Sequence, residues 1–101
     1  DIARMREAYD QRRRFLVARL REIGMDCFEP YGAFYVFPSI KRFGMSSEEF
    51  ATRLLQEEKV ATMPGAAFGE TGAPYIRLSI ASSETNLTEA MNRIQRFLGT
   101  L

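Results

Sequence analysis

The chain has 101 residues, a length that suits one domain with its own hydrophobic core. Lys and Arg total 14 and Asp and Glu total 13, so the net charge of +1 lacks the basic excess of proteins that bind a nucleic-acid backbone. The absence of histidine excludes Ser-His-Asp triads and the usual His-ligated zinc catalysts. We therefore expect a globular domain with no nucleic-acid partner and no metal site.

Several features of the chain bear on its location in the cell. No apolar run is long enough to cross a bilayer, and the charged opening segment does not resemble a signal peptide. The single cysteine, Cys27, excludes an internal disulfide framework and is typical of a reducing compartment. These features predict a soluble, cytoplasmic protein with no membrane partner. Because the chain opens at Asp1 with a pattern typical of a helix interior, we also expect it to be part of a longer protein.

The first predicted element is a long amphipathic helix over residues 1–23. The segment has no Gly or Pro, and Gly24 follows it as a helix stop. The adjacent residues Arg12, Arg13 and Arg14 point in different directions on a helix, so they predict a solvated surface rather than a nucleic-acid patch. The apolar positions recur close to the period of a helix and are Ile2, Met5, Tyr9, Leu16, Leu20 and Ile23.

Two short strands are predicted next. Residues 25–29 favour a strand that leads into a turn at Pro30-Tyr31-Gly32. Residues 33–37 are rich in aromatic and β-branched side chains and favour a second strand, ended by Pro38.

A second helix is predicted over residues 46–58. Ser46 and Glu49 form a capping box, in which each side chain satisfies a backbone N–H at the start of the helix. The predicted apolar face consists of Phe50, Leu54 and Leu55. A short strand over 60–62 then leads into Met63-Pro64-Gly65 and a glycine-rich loop over 66–74.

The last elements are a strand over residues 75–81 and a helix that begins near Ser83 or Asn86, runs to Leu98 and stops at Gly99. The element order α-β-(β)-α-β-β-α predicts a two-layer α+β domain. In this domain a small, mostly antiparallel sheet of three or four strands packs against helices. The predicted buried side of the last helix consists of Leu87, Ala90, Met91, Ile94 and Phe97 or Leu98.

Arg77 is the first residue that could carry chemistry. Strand alternation places Ile76 and Leu78 on one face of the sheet and Arg77 on the other. The arginine could simply face solvent on a half-buried sheet. Alternatively, its planar guanidinium could bind a carboxylate with two parallel hydrogen bonds, held in place by the strand. The spacing of the residues leaves both interpretations open.

The glycine-rich run MPGAAFGETG at 63–72 is the second candidate. Its backbone could approach a ligand closely, or its glycines could simply form turns. It contains neither of the common phosphate-binding patterns, GxGxxG or GxxxxGK[ST]. Phe34, Tyr35 and Phe37 are predicted core residues, although a strand edge that faces a cleft would also suit them.

Three blocks of sequence together resemble one family. They are Gly32-Ala33-Phe34-Tyr35-Val36-Phe37-Pro38, then Val60-Ala61-Thr62-Met63-Pro64-Gly65-Ala66-Ala67-Phe68-Gly69, then Tyr75-Ile76-Arg77-Leu78-Ser79-Ile80-Ala81. Their order and spacing look like the C-terminal small domain of class I/II (fold-type I) pyridoxal-phosphate-dependent aminotransferases. The resemblance covers essentially the whole chain, including the first and last helices.

The resemblance implies roles for particular residues. Arg77 would bind the α-carboxylate of an amino acid or 2-oxo acid substrate. The strand residues Gly32, Ala33 and Phe34 would line the substrate side. The rim of the active-site entrance would consist of Pro64, Gly65, Phe68 and Gly69.

The resemblance also implies what this chain lacks. In the family, the lysine that binds pyridoxal 5'-phosphate covalently, its aspartate partner and the phosphate-binding groups belong to the large domain. Lys41 and Lys59 do not sit in that lysine motif, so we expect no catalytic residue in this chain and no transamination by the chain alone. Residues 1–101 would form a single small domain, joined through the helix at 1–24 to a large domain and forming a homodimer in the full-length enzyme.

Two alternatives remain open at the level of sequence. Carbon–sulfur lyases and ring-closing synthases share this fold and its carboxylate-binding arginine. A stand-alone α+β regulatory or protein-interaction module without catalytic activity is the alternative from a different functional class.

Overall fold

A computed structural model of the chain describes residues 1–28 and 34–101. The described α-helices are α1 (Ile2–Glu22), α2 (Ser47–Glu58) and α3 (Glu84–Leu98). The described strands are β1 (Cys27–Phe28), β2 (Tyr35–Pro38), β3 (Met63–Pro64) and β4 (Ile76–Ser79). Short 3-10 turns cover Lys41–Phe43, Gly65–Phe68 and Glu70–Gly72. The predicted α+β fold is confirmed.

The four strands form one antiparallel sheet in the order β1-β2-β4-β3. In the centre of the sheet Val36 of β2 lies opposite Leu78 of β4, and both side chains are buried. On the outer side of β4, Met63 of β3 lies opposite Arg77. Because side chains alternate along a strand, this register places Tyr35 and Arg77 together on the sheet face opposite the buried Val36 and Leu78.

The helices cover the face of the sheet that carries Val36, Ile76 and Leu78. The rings of Phe50 from α2 and Phe97 from α3 meet edge to face with their centroids 5.2 Å apart, so the two helices share the centre of the core. The fully or almost fully buried large side chains are Leu16, Val17, Leu20, Met25, Val36, Phe50, Leu54, Ile76, Ile80, Met91, Ile94 and Phe97.

The helix ends follow the predicted capping residues. The side-chain oxygens of Ser46 and Ser83 accept hydrogen bonds from the backbone N–H groups of Glu49 and Asn86, each at 3.1 Å. This contact satisfies one of the N–H groups that a helix start otherwise leaves without an acceptor. After α1, Gly24 takes a φ of 103°, which is the conformation expected of the predicted helix stop.

Two predicted elements differ from the observed ones. The strand predicted at 60–62 is wrong, because the residues that pair with β4 are Met63 and Pro64. The side chain of Val60 is buried in the core instead. The strand predicted at 75–81 is shorter, since β4 covers Ile76–Ser79 and Tyr75 forms only an isolated bridge with Ser39.

Predicted side-chain environments on α1 and α2 also need correction. Leu55 is 49% exposed, and Ala51 is buried beside Phe50 and Leu54 in its place. Successive helical residues point about 100° apart, and the buried arc of α2 runs through Ser47, Phe50, Ala51 and Leu54, so Leu55 falls outside it. Arg13 is not solvated, because it is only 4% exposed and its Nη1 atom lies 2.8 Å from the Oδ1 atom of Asp10.

No helix within residues 1–28 and 34–101 has the length and apolar character needed to cross a membrane.

Candidate functional site

Arg77 lies on the face of the sheet that the helices leave uncovered. Its neighbours along β4, Ile76 and Leu78, are buried on the helix side, so the alternation predicted from the sequence is confirmed at these positions. The Arg77 side chain itself is half-buried. Tyr35 pairs with Ser79 and is therefore the diagonal neighbour of Arg77, a separation that long and aromatic side chains can bridge.

Two aromatic rings contact the Arg77 guanidinium. The central carbon of the guanidinium lies 4.1 Å from the centroid of the Tyr35 ring and 4.9 Å from that of the Phe68 ring. Both distances are within the range of cation–π attraction, in which the negative face of a ring stabilises a nearby cation. The cation of Arg77 is thus held against aromatic surface from two separate parts of the chain.

The charge of Arg77 is not neutralised by an acidic side chain of the described part of the chain. Its guanidinium makes no ion pair and donates no hydrogen bond within residues 1–28 and 34–101. Other arginines contrast with it, since Arg53 and Arg96 bind carboxylates and Arg21 donates to the carbonyl of Cys27. The N–H donors of Arg77 therefore stay available for an acceptor from outside these residues.

The turn that carries Phe68 is attached to the domain at two points. The N–H of Gly65 donates to the carbonyl of Tyr75 at 2.8 Å, next to β4. The N–H of Ala66 donates to the hydroxyl of Ser47 at 3.2 Å, and Ser47 is only 1% exposed. A buried hydroxyl is a costly group to place without a partner, so this contact fixes the turn to the start of α2.

Two glycines let this turn close on itself. A Cβ atom on Gly65 would overlap the backbone carbonyl oxygens of Gly72 and Tyr75, and a Cβ atom on Gly72 would overlap the carbonyl oxygen of Gly65. The glycine-rich run therefore serves a structural purpose here: close backbone approach within the turn that positions Phe68.

The structure places the other predicted site residues as follows. Phe68 is 52% exposed and contacts Arg77, while Pro64 of β3 lies opposite Ile76, one residue from the arginine. Gly69 is exposed, with a φ of 99°. The prediction of Phe34 as a core residue is wrong, because its side chain is 56% exposed and its ring packs edge to face on that of Tyr9 of α1, with the centroids 5.1 Å apart. Its predicted place beside the substrate stays a prediction. Gly32 and Ala33 lie outside the described residues.

Tyr35 is a site residue that the sequence analysis assigned to the core. Its side chain is only half-buried and lies against Arg77, whereas its neighbour Val36 is fully buried. The sequence does contain a signal for this orientation, because adjacent residues of a strand point to opposite faces of the sheet and Tyr35 is followed by the aliphatic Val36. Its contact with Arg77 depends on the β2–β4 register, which the sequence does not display.

The described residues do not fit pyridoxal 5'-phosphate or a metal ion. Both lysines are exposed, and the Nζ atom of Lys59 donates to the carbonyl of Gln56 at the end of α2. Within residues 1–28 and 34–101 no group of three His, Cys, Asp or Glu side chains could hold a metal. No chemical step through a bound cofactor is therefore assigned to these residues.

A second charged cluster joins α2 to α3. The Nη2 atom of Arg96 lies 2.5 Å from Oε1 of Glu58, and its Nε atom donates to the same carboxylate. Arg93 donates to the backbone carbonyl of Glu58 at 3.1 Å. The hydrogen bonds from Arg96 lower the pKa of the Glu58 carboxyl, and the positive charges of both arginines act in the same direction. This cluster ties the C-terminal end of α2 to α3.

The sequence of the chain is similar to those of known proteins. The family model for aminotransferase class I and II matches residues 1–94. The chain is 53% identical over 98 residues to the Bacillus subtilis protein YugH, named as an aminotransferase, covering 97% of this chain and 25% of YugH. It is 45% identical over 97 residues to an aspartate aminotransferase of Pyrococcus abyssi, covering 96% of this chain and 25% of that protein.

Solved structures of aminotransferases are also similar to the chain, in both fold and sequence. An aromatic aminotransferase from Pyrococcus horikoshii OT3 matches with a TM-score of 0.95 at 42% identity, covering 98% of this chain and 26% of that chain. An aspartate aminotransferase from Thermotoga maritima matches with a TM-score of 0.89 at 40% identity, covering 98% and 25%. The chain spans about a quarter of the length of the relatives that it matches.

Proposed function

This chain belongs to the aminotransferase class I and II family, and from that membership we propose that it is the C-terminal small domain of an aminotransferase. Its task there is to bind the α-carboxylate of the substrate through Arg77. The parent enzyme transfers an amino group between an amino acid and a 2-oxo acid. The observation that carries the proposal is an arginine on the sheet face opposite the helices, held by two rings and without an acidic partner in the described residues.

The chemistry of the guanidinium supports this role. It is always protonated and presents its N–H groups as a planar fork that matches the two oxygens of a carboxylate. Because Arg77 sits on a strand within a sheet, its backbone is held more firmly than it would be on a loop. Arg77 would then orient the substrate rather than react with it, and orientation alone can supply a large part of a rate enhancement.

The remaining parts of the enzyme would come from outside this chain. Pyridoxal 5'-phosphate supplies the electron sink of transamination when it is bound, and we assign its binding to a large domain joined through the helix at 1–24. The full-length enzyme would be a homodimer. Residues 1–101 alone would have no transaminase activity, because neither Lys41 nor Lys59 sits in the lysine motif of the family.

The test is the replacement of Arg77 in the enzyme that contains this chain. Arg77→Lys keeps the charge but removes the planar fork, and Arg77→Ala removes both. We expect each variant to raise KM for the amino acid and to lower kcat/KM. The corresponding loss of transition-state stabilisation should be about 2–4 kcal/mol, as for other lost charge-assisted contacts. Unchanged kinetics in both variants would leave Arg77 as a surface residue.

The coding sequence upstream of Asp1 provides an independent check. An upstream frame of roughly 250 codons for a large α/β domain with a lysine-bearing motif is expected if the chain is one domain of a longer enzyme. A stop codon or an unrelated domain in that frame would favour a stand-alone module.

A further inference from the structure

We propose that Tyr35 and Phe68 are positioning residues that hold the Arg77 guanidinium in the orientation needed for a planar oxyanion. This proposal rests on the proposed role of Arg77 in carboxylate binding, and it adds two residues to that role. It also predicts that the site distinguishes a carboxylate from the neutral amide of the same shape.

Tyr35 contacts Arg77 from the neighbouring strand. Its ring belongs to β2 and lies 4.1 Å from the guanidinium carbon of Arg77 on β4, so both partners are anchored in paired strands. The contact therefore does not depend on a mobile segment. An arginine side chain has several rotatable bonds, and contact with a fixed ring restricts the orientations that it can take.

Phe68 contacts Arg77 from the 3-10 turn Gly65–Phe68, with its ring centroid 4.9 Å from the guanidinium carbon. This turn is held by the hydrogen bond of Ala66 to the buried Ser47 and by that of Gly65 to Tyr75. Phe68 is 52% exposed, so its ring does not fill the hydrophobic core. An exposed phenylalanine on a firmly attached turn beside a cation is better explained by that cation than by core packing.

The N–H groups of the Arg77 guanidinium are the donors that would bind a ligand. Where a guanidinium stacks its flat face on a ring, its N–H groups remain at the edge of the plane. Within the described residues those N–H groups have no acceptor and the charge has no acidic partner. The two rings thus orient the cation without occupying the groups that would bind a ligand.

The experiment measures the binding of butanoate and of its amide, butanamide, to the full-length enzyme by calorimetry. Tyr35→Leu and Phe68→Leu remove one ring each, and Tyr35→Phe keeps the ring while removing the hydroxyl. We expect each Leu variant to weaken butanoate binding about tenfold, with butanamide unchanged, and Tyr35→Phe to bind both ligands as the native enzyme does. Phe15→Leu, which removes an exposed ring from α1, is the matched control.

The possible results separate this proposal from the one on which it rests. Leu variants that keep the native ratio of butanoate to butanamide affinity would overturn the positioning role, even where Arg77→Lys abolishes butanoate binding. If Arg77→Lys also binds butanoate normally, the proposed function fails as well. Phe68→Leu keeps the test decisive should Tyr35→Leu fail to fold, because Phe68 lies on an exposed turn.

Discussion

Arg96 binds the carboxylate of Glu58 with two of its nitrogen atoms, and this contact ties α3 to the C-terminal end of α2. The residues are 38 positions apart in the chain, so the contact exists only in the folded domain. It also places positive charge at the negative end of the α2 dipole, where cations are stabilising.

The first prediction concerns the pH dependence of stability. The native pKa of Glu58 is lowered, mainly by its hydrogen bonds with Arg96. The pair therefore stabilises the fold fully above the unfolded-state pKa of about 4.3, and the stabilisation is lost as the pH falls through the lower native value. We expect Glu58→Gln to reduce the urea midpoint near neutral pH and to match the native protein at the acid end of the titration.

The control for this prediction is the partner variant Arg96→Gln. In its background, Glu58→Gln should have little further effect at any pH, because the pair is already broken. If Glu58→Gln lowered the urea midpoint equally at all pH values, the ion pair with Arg96 would not be the cause of the destabilisation.

The second prediction compares adjacent leucines of α2. Leu54 is fully buried, whereas Leu55 is half exposed. Leu54→Ala should lower the free energy of unfolding by about 2–5 kcal/mol, since it removes buried methyl groups and leaves a cavity. Leu55→Ala should change it by less than about 1 kcal/mol. Urea denaturation measures both changes. Similar decreases in the free energy of unfolding for the two variants would contradict the observed orientation of α2, with Leu54 in the core and Leu55 at the surface.

The third prediction concerns the close approach of Gly65 to Gly72. Gly65→Ala would bring a Cβ atom against fixed backbone carbonyl oxygens, so we expect a loss of more than about 2 kcal/mol in the free energy of unfolding. Gly44 has a φ of 69° and open space around it, and Gly44→Ala should cost only about 1 kcal/mol of backbone strain. The order of the two thermal midpoints checks the prediction, and a reversed order would contradict it.

The fourth prediction concerns two adjacent serines at the start of α2. Ser46→Ala removes an N-cap and should cost about 1 kcal/mol of stability. Ser47→Ala leaves the N–H of Ala66 without its acceptor, at a cost of about 1–3 kcal/mol, and loosens the turn that carries Phe68. Only Ser47→Ala should also weaken butanoate binding by the full-length enzyme. Equal binding by both variants would separate Ser47 from the Arg77 site.

Features that depend on near neighbours in the chain could be predicted from the order of residues. The helices were predictable because their apolar period, the serine caps of α2 and α3 and the glycines that follow α1 and α3 are all local signals. The opposite facing of Arg77 and Leu78 was predictable for the same reason, since strand alternation needs only adjacent residues. The family resemblance also followed from the order of three sequence blocks.

Contacts between residues that are distant in the chain could not be predicted in this way. The contact of Arg77 with Tyr35 depends on the register of β2 against β4, and its contact with Phe68 depends on how the turn at 65–68 is attached to Ser47 and Tyr75. The shift of the third strand from 60–62 to Met63–Pro64 has a similar origin, because a strand exists only where a partner pairs with it. These choices are settled by contacts between segments remote in the chain, which no local pattern of residue types can report.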